Sequence, residues 1–194
     1  MLKTEIDRFV NLKSGWINRK LVESQVKTDQ RNCFELHYGD LILYRGRSYP
    51  IQMKPGNRVG FDGECFWMPP ALSPKRIKAA CIQIYRLFAK QVITEKIQVY
   101  AKRMNVFPSD IKINGAKTRW GSCSAKKSLN FSWRLVMADD AVIDYVVVHE
   151  LAHIIEMNHS VKFWAVIGGV LPHYKNRQKQ LKELQSKLSA EYWE

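Results

Sequence analysis

The residues best suited to chemistry lie in the segment HELAHIIEMNH, residues 149–159. His149 and His153 are four residues apart, so on a helix they lie one above the other on the same face. Two imidazoles in that arrangement can hold one zinc ion, with nitrogen–zinc distances of about 2.0–2.1 Å. Glu150 projects about 100° further around the helix, where a carboxylate flanks the ion and can take a proton from its water. The segment therefore predicts a metal site with a glutamate general base.

The alternative is that both histidines are ordinary core or surface groups of a helix. The run AVIDYVVV directly precedes them and is almost continuously apolar, which predicts a helix buried on most of its faces. Burying two imidazoles and a carboxylate is costly unless they are coordinated or hydrogen-bonded. Together with a third histidine nearby, this favours the metal site.

Glu156 and His159 compete as the third ligand. Glu156 shares a helical face with His149, but seven residues of continuous helix span about 10 Å, too far for one ion. His159 can reach the ion if the helix ends near residues 157–158 and the chain turns back, and Asn158 tolerates the left-handed conformation of such a turn. We predict three metal ligands, namely His149, His153 and His159.

The elements that must position these residues follow from periodicity and turn chemistry. Residues 1–30 carry a loose helical pattern. In residues 31–70 the apolar segments CFELHY, DLILYR and ECFWMP are separated by turn residues, which predicts a small antiparallel β-meander. Ser73 and the proline after it then signal a long amphipathic helix, which runs to about Asn105.

The second half of the chain continues with IKI (111–113) and two segments, 117–124 and 128–137, that flank a polar turn. We predict that these two segments form a β-hairpin. Asp139-Asp140 would cap the H-E-x-x-H helix, and a solvent-facing helix follows Pro172. The fold class is therefore predicted as α+β, with residues 1–70 as the β-rich N-terminal part and residues 71–194 as the catalytic core of one domain.

Bulk composition narrows the class of protein. The chain has 194 residues, 46% of them hydrophobic, which excludes a disordered protein. Its net charge of +13 would attract polyanions, so nucleic acid is a candidate partner. The N-terminus has no signal-like apolar region and no stretch is long enough to span a membrane. With no close cysteine pairs among Cys33, Cys65, Cys81 and Cys123, we predict reduced thiols and a cytoplasmic location.

The wider pattern resembles the YgjP-like family of predicted metal-dependent hydrolases, which are relatives of the SprT-like and WLM zinc-protease domains. The resemblance rests on the blocks TRWGSCS, IDYVVVHELAH and NHSVKFW and covers residues 75–185 best. It implies a zincin-like fold, one zinc ion per chain held by the three histidines, and Glu150 as the general base. The matching residues are Arg119, Trp120, Gly121, Ser122, Cys123, Asp144, Tyr145, His149, Glu150, His153, Asn158, His159, Ser160, Phe163 and Trp164.

Three further residues are candidates for substrate or transition-state contacts. Arg119 can stabilise an oxyanion or bind a carboxylate or phosphate, or it can pair with Asp139, Asp140 or Asp144. Tyr174 and His173 can donate hydrogen bonds to a transition state. Trp120 and Trp164 are predicted to pack, and Cys123 is not expected to act as a nucleophile.

We therefore predict a zinc-dependent hydrolase, a metallopeptidase acting on peptide or protein substrates with metal-activated water. A second reading keeps the metal site but assigns it a small anionic substrate, a nucleoside triphosphate, whose phosphoanhydride bond would be cleaved. A third is a basic nucleic-acid-binding module with a structural zinc, whose fourth ligand would be His37 or His173. The sequence does not predict the oligomeric state.

Overall fold

The computed structural model describes residues 3–32, 34–189, 191 and 193. The chain forms two compact units, one of residues 1–34 and 185–194 and the other of residues Glu35–Leu184. The first unit contains a long N-terminal helix, and in it the rings of Phe34 and Trp193 lie 5.3 Å apart. The larger unit contains both sheets and the candidate site.

The helices alternate with two groups of short strands, so the prediction of an α+β fold is confirmed. The helices are α1 (Lys3–Asn32), α2 (Pro74–Met104), α3 (Asp140–Ala152), α4 (Val161–Val170) and α5 (Tyr174–Leu188). The strands are β1 (Leu41–Tyr44), β2 (Arg47–Met53), β3 (Gly60–Phe61), β4 (Phe66–Met68), β5 (Asp110–Asn114), β6 (Gly121–Cys123) and β7 (Ser128–Ser132).

The first sheet has the strand order β1-β2-β4-β3, which corrects the predicted antiparallel meander. β4 lies parallel to β2, and β3 pairs with β4 at the outer edge. The central position suits β4 because Phe66 and Met68 are fully buried there. β3 accommodates Trp67 because a Cβ at Gly60 would lie 2.6 Å from that ring. The segment from Phe34 to Tyr38 was also expected to be extended in the sheet, but it is not a strand.

The second sheet has the order β5-β7-β6 and contains the predicted hairpin, since β6 and β7 are antiparallel. β5 lies parallel to β7 on its other side. The predicted second strand of the hairpin is shorter than expected, because residues Trp133–Met137 form a 3-10 helix. The Ser132 hydroxyl accepts from the Arg134 N–H and caps that helix, which ends the strand.

Helices α2 and α3 form the core behind this sheet. α2 ends at Met104 with Asn105 in the left-handed conformation, where the sequence placed its end. Lys96 on α2 donates to Asp144 on α3 at 2.7 Å and lies 3.5 Å from an Asp140 oxygen. Both Lys96 and Asp144 are largely buried, so this pair fixes α3 against α2.

The N-terminal third of the chain is only partly β-rich. Its strands lie between Leu41 and Met68, whereas residues 3–32 are helical, in agreement with the loose helical pattern. The domain boundary at residue 70 stays a prediction. Among the described residues, Cys65, Cys81 and Cys123 are free thiols, and Cys33 lies outside them. No helix in the described part of the chain is long and apolar enough to cross a membrane.

Candidate metal centre

Helix α3 carries His149 and Glu150 near its C-terminal end. It begins where the sequence placed it, because the Asp139 carboxylate accepts from the N–H groups of Ala141 and Val142 at 3.0 and 3.1 Å. Ring centroids of His149 and His153 are 5.0 Å apart, as expected for neighbours on one helical face. The apolar residues preceding them are buried, so the histidines are held at the edge of the core.

The chain turns earlier than the sequence predicted. α3 ends at Ala152, not near residues 157–158, and Asn158 is not among the described residues with a left-handed backbone. The N–H groups of Ile155 and Glu156 both donate to the Ala152 carbonyl, at 3.0 and 2.9 Å. These bonds close the turn immediately after the helix, so no left-handed residue is needed at Asn158.

This turn brings the third histidine back to the other two. The Nε2 atoms of His149 and His159 are 3.1 Å apart, and one ligand atom from each of the three histidines lies within 4.8 Å of the others. His159 directly precedes Ser160, whose hydroxyl accepts from the Phe163 N–H and caps α4. The loop that carries His159 is therefore tied to a helix end on each side.

The three imidazoles offer closely spaced nitrogen donors to a metal ion. Burial lowers the pKa of His149 to about 3, and the charges of His153 and His159 act in the same direction. Burial also lowers the pKa of His153. The buried Nδ1 of His149 has no hydrogen-bond partner, and His153 Nδ1 lies 3.3 Å from the Glu156 carbonyl. Neutral histidine is the form that binds zinc, so burial favours the metal-binding form of His149 and His153.

Glu156 takes no part in the cluster. Its backbone carbonyl faces His153, and its carboxylate lies 3.4 Å from the Asn158 N–H. Among the described His, Cys, Asp and Glu residues, the three histidines form the only group close enough to share an ion. His37 and His173, considered as a fourth ligand, do not belong to it.

A fully buried phenylalanine packs against all three histidines. The ring centroid of Phe163 is 5.0, 4.6 and 4.7 Å from those of His149, His153 and His159. Phe163 is 0% exposed, so it provides a buried apolar surface against which the three histidines pack.

Aromatic stacking supports His159 from the side. Its ring stacks on Trp164 at 5.7 Å, with 22° between the ring planes. Trp164 stacks in turn on Tyr174 at 5.5 Å, and Tyr174 on Tyr145 at 6.4 Å. This agrees with the prediction that Trp164 packs. Tyr174 thus belongs to this stack of aromatic rings, whereas His173 is exposed on the surface.

Glu150 is buried against β6. A Cβ at Gly121 would lie 2.6 Å from both Cγ and Oε1 of Glu150, so the backbone of β6 touches this carboxyl group. Burial raises the pKa of Glu150 to about 8, while the charge of Arg119 lowers it. Glu150 therefore follows His149 on α3 and packs against the edge strand.

Arg119 is exposed and lies close enough to Glu150 to lower the pKa of that carboxyl group. The acids proposed as its structural partners have other contacts. Asp140 binds Arg45 and Lys96, Asp144 binds Lys96, and Asp139 caps α3.

Cys123 is half-buried at the end of β6. Burial and the charge of Glu150 raise the pKa of its thiol. That Cys123 is not a nucleophile stays a prediction. Sequence reasoning assigned no role to Gly121 or Phe163. The signal for Gly121 is a glycine within a strand, which often marks a close backbone approach.

Comparison with known proteins gives a family match and partial likenesses to solved structures, among them two metallopeptidase zymogens. The family model described as YgjP-like, metallopeptidase domain, matches residues 1–184. The metallopeptidase zymogen of Pyrococcus abyssi abylysin is 18% identical, with 50% of this chain and 94% of that chain covered and a TM-score of 0.44. The metallopeptidase zymogen of Methanocaldococcus jannaschii jannalysin is 26% identical, with 48% and 95% covered and a TM-score of 0.42. No curated protein matches the chain.

Proposed function

Because this chain belongs to the YgjP-like metallopeptidase family, and is thus a metal-dependent hydrolase, we propose that it is a zinc peptidase with Glu150 as its general base. The observation that carries the proposal is the cluster of three imidazole nitrogens beside a buried glutamate on the same helix. The proposed zinc ligands are His149, His153 and His159.

Zinc suits this set of donors because neutral imidazole nitrogens are among its preferred ligands. Three protein ligands are typical of catalytic zinc, whereas structural zinc is closed by four. When bound, the ion supplies Lewis acidity, which lowers the pKa of water and polarises a substrate carbonyl.

Glu150 does the proton chemistry in this proposal. Its carboxyl group is buried against β6, and burial raises its pKa. It accepts a proton from the water that attacks the peptide carbonyl and delivers it to the leaving amine. Gly121 supports this role, because the strand packs against the carboxyl group and limits where it can move.

Three exposed or half-buried side chains have proposed supporting roles. The proposed role of the Arg119 guanidinium is to stabilise developing negative charge or to bind a substrate carboxylate, and its electrostatic influence on Glu150 supports this. Tyr174 and His173 remain proposed hydrogen-bond donors to the transition state.

The edge strand β6 favours a peptide as the substrate. Among the described strands, β6 pairs only with β7, so its other edge offers backbone N–H and C=O groups. An extended peptide can add to such an edge as a further strand. Because Gly121 in β6 touches Glu150, a peptide bound there passes close to the proposed base.

The direct test combines metal analysis with one conservative substitution. The purified protein should contain one zinc per chain, and chelation should abolish hydrolysis of unfolded protein until zinc is restored. Glu150→Gln should retain the metal and lose turnover. The matched control is Glu156→Gln, which changes a carboxylate of the adjoining loop and should keep both. Undiminished hydrolysis by Glu150→Gln would refute the proposed base.

The substrate panel should include nucleoside triphosphates, because the basic Arg119 near Glu150 could also bind a phosphate. Metal-dependent turnover of nucleotides, without cleavage of peptides, would replace the peptidase proposal. Nucleic-acid binding with a steep salt dependence and no metal-dependent turnover would instead favour a binding module.

A further inference from the structure

A second concave site lies outside the histidine cluster, between α2 and the edge strand β5. It is a groove of about 840 Å³. One wall is a single face of α2, on which lining residues recur at mostly three- and four-residue spacing. The other wall is β5, with Asn130 of β7 beside it. The α2 residues are Gln83, Arg86, Leu87, Lys90 and Thr94.

The groove is basic. Arg86, Lys90 and Lys112 line it, and none of its lining residues is acidic. Lys112 already has a partner, since its Nζ lies 3.1 Å from an Asp110 oxygen. Arg86 and Lys90 are both exposed, so they present most of the positive charge that a bound ligand would meet. A surface of this kind selects ligands of negative charge.

The groove also has an apolar component. Leu87 is 69% exposed, although it lies in the middle of the α2 face. Ile111 and Ile113 of β5 are half-buried and line the opposite wall. A ligand that covers these three side chains would bury apolar surface, which a small inorganic anion cannot do.

β5 lies at the edge of its sheet. Among the described strands, β5 pairs only with β7. The Ile111 N–H donates to the side chain of Asp110 at 2.8 Å, as expected for a group that points away from the ladder. An extended segment placed along this edge can form backbone hydrogen bonds, while its alternate side chains face the groove and the solvent.

These features fit a peptide better than a nucleic acid. Sites for single-stranded nucleic acid combine positive charge with aromatic side chains on which bases stack. The groove has positive charge but none of its lining residues is aromatic.

We propose that the groove between α2 and β5 binds an extended peptide segment whose groove-facing side chains, at every second residue, are acidic and apolar in turn. The acidic side chains face Arg86 and Lys90, and an apolar side chain covers Leu87. The site is separate from the histidines and goes beyond the proposed peptidase activity, on which it does not depend.

The test measures binding of a short fluorescent peptide that repeats the sequence Glu-Ser-Val-Ser, which places Glu and Val on one face of an extended chain, by fluorescence anisotropy. The full chain carries Glu150→Gln so that the peptide stays intact, which mass spectrometry verifies. A peptide that repeats the sequence Lys-Ser-Val-Ser and a single-stranded oligothymidylate serve as the competing probes.

Three variants locate the site. Arg86→Glu combined with Lys90→Glu should weaken binding of the acidic peptide about tenfold or more, because two attractive pairs become repulsive. Leu87→Ser should weaken it about fivefold through lost apolar burial. The charge-matched control, Lys175→Glu with Lys182→Glu, changes two exposed lysines of α5 and should alter binding less than twofold. Circular dichroism and thermal melting check that each variant is folded.

Each other outcome overturns the proposal. Equal binding of the basic peptide would show that the groove does not select ligands of negative charge. Binding of oligothymidylate alone, lost in the Arg86 and Lys90 variant, would make the groove a nucleic-acid site. Loss of peptide binding in the α5 control, but not in the groove variants, would place the site elsewhere. No measurable binding of the acidic peptide would eliminate the site.

Discussion

The contact between Gly121 and Glu150 gives the sharpest prediction about the site. A Cβ added at Gly121 would lie 2.6 Å from Cγ and Oε1 of Glu150 and 2.8 Å from its Cδ. Ordinary contacts begin at 3.4 Å, so the carboxyl group must move by at least about 0.8 Å or the strand must bend. Gly121 does not have a left-handed backbone, so close approach is the only constraint on alanine there.

We expect Gly121→Ala to lower the hydrolytic kcat/KM about 100-fold, because a displacement near 1 Å of a catalytic group has a cost of that order. The overpacking should also lower the free energy of unfolding by about 2 kcal/mol. The zinc content should stay near that of the wild type, since Glu150 is not a proposed ligand. The assays are hydrolysis of a quenched protein substrate, urea denaturation and metal analysis.

Gly169→Ala is the matched control for this substitution. A Cβ at Gly169 has no neighbour within 4 Å, and the residue lies in helix α4. Alanine is favoured over glycine in helices, so this variant should be as active as the wild type and equally or more stable. If Gly121→Ala keeps its activity within threefold of the Gly169→Ala value, then the strand does not hold the carboxyl group in place.

Three further predictions concern the residues that support the site and the core. Trp164→Leu should weaken zinc affinity about tenfold, measured by competition with a chelator, because it removes the ring that stacks on His159. Lys96→Met should lower the free energy of unfolding in urea by about 2 kcal/mol, because it leaves the largely buried Asp144 without its cation. Burial raises the pKa of Cys81 from 9.0 to about 12, so its contribution to stability is complete below about pH 9 and is lost as the pH rises towards 12. Cys81→Ala should therefore show a smaller loss of stability between pH 8 and 11 than the wild type, by about 2 kcal/mol or less.

Local signals in the sequence were sufficient for the helices of the core. The α2 start at Ser73-Pro74 and the α3 cap at Asp139 depend on residues within one turn of the element they begin. The hairpin of β6 and β7 was also predictable, because its two strands are joined by a short polar turn. Each of these features is decided by neighbours in sequence.

Features decided by distant contacts were missed. The order of the first sheet depends on β4 burying Phe66 and Met68 in a central position, which no local pattern specifies. The early end of α3 depends on the turn closed at the Ala152 carbonyl. The approach of Gly121 to Glu150 joins residues that are far apart in the chain, and the glycine alone gave only a general signal.

The position where α3 ends explains how His159, six residues after His153, can lie beside the other two histidines. If the helix continued through His159, the ten residues from His149 would span about 15 Å, and the two rings could not share an ion. The observed Nε2 separation is 3.1 Å. The turn after Ala152 reverses the chain, and the Ser160 cap then starts α4 at once, so the loop has little freedom. α4 also supplies Phe163 beneath the rings, so the element that ends the loop also packs against the histidines that the loop brings together.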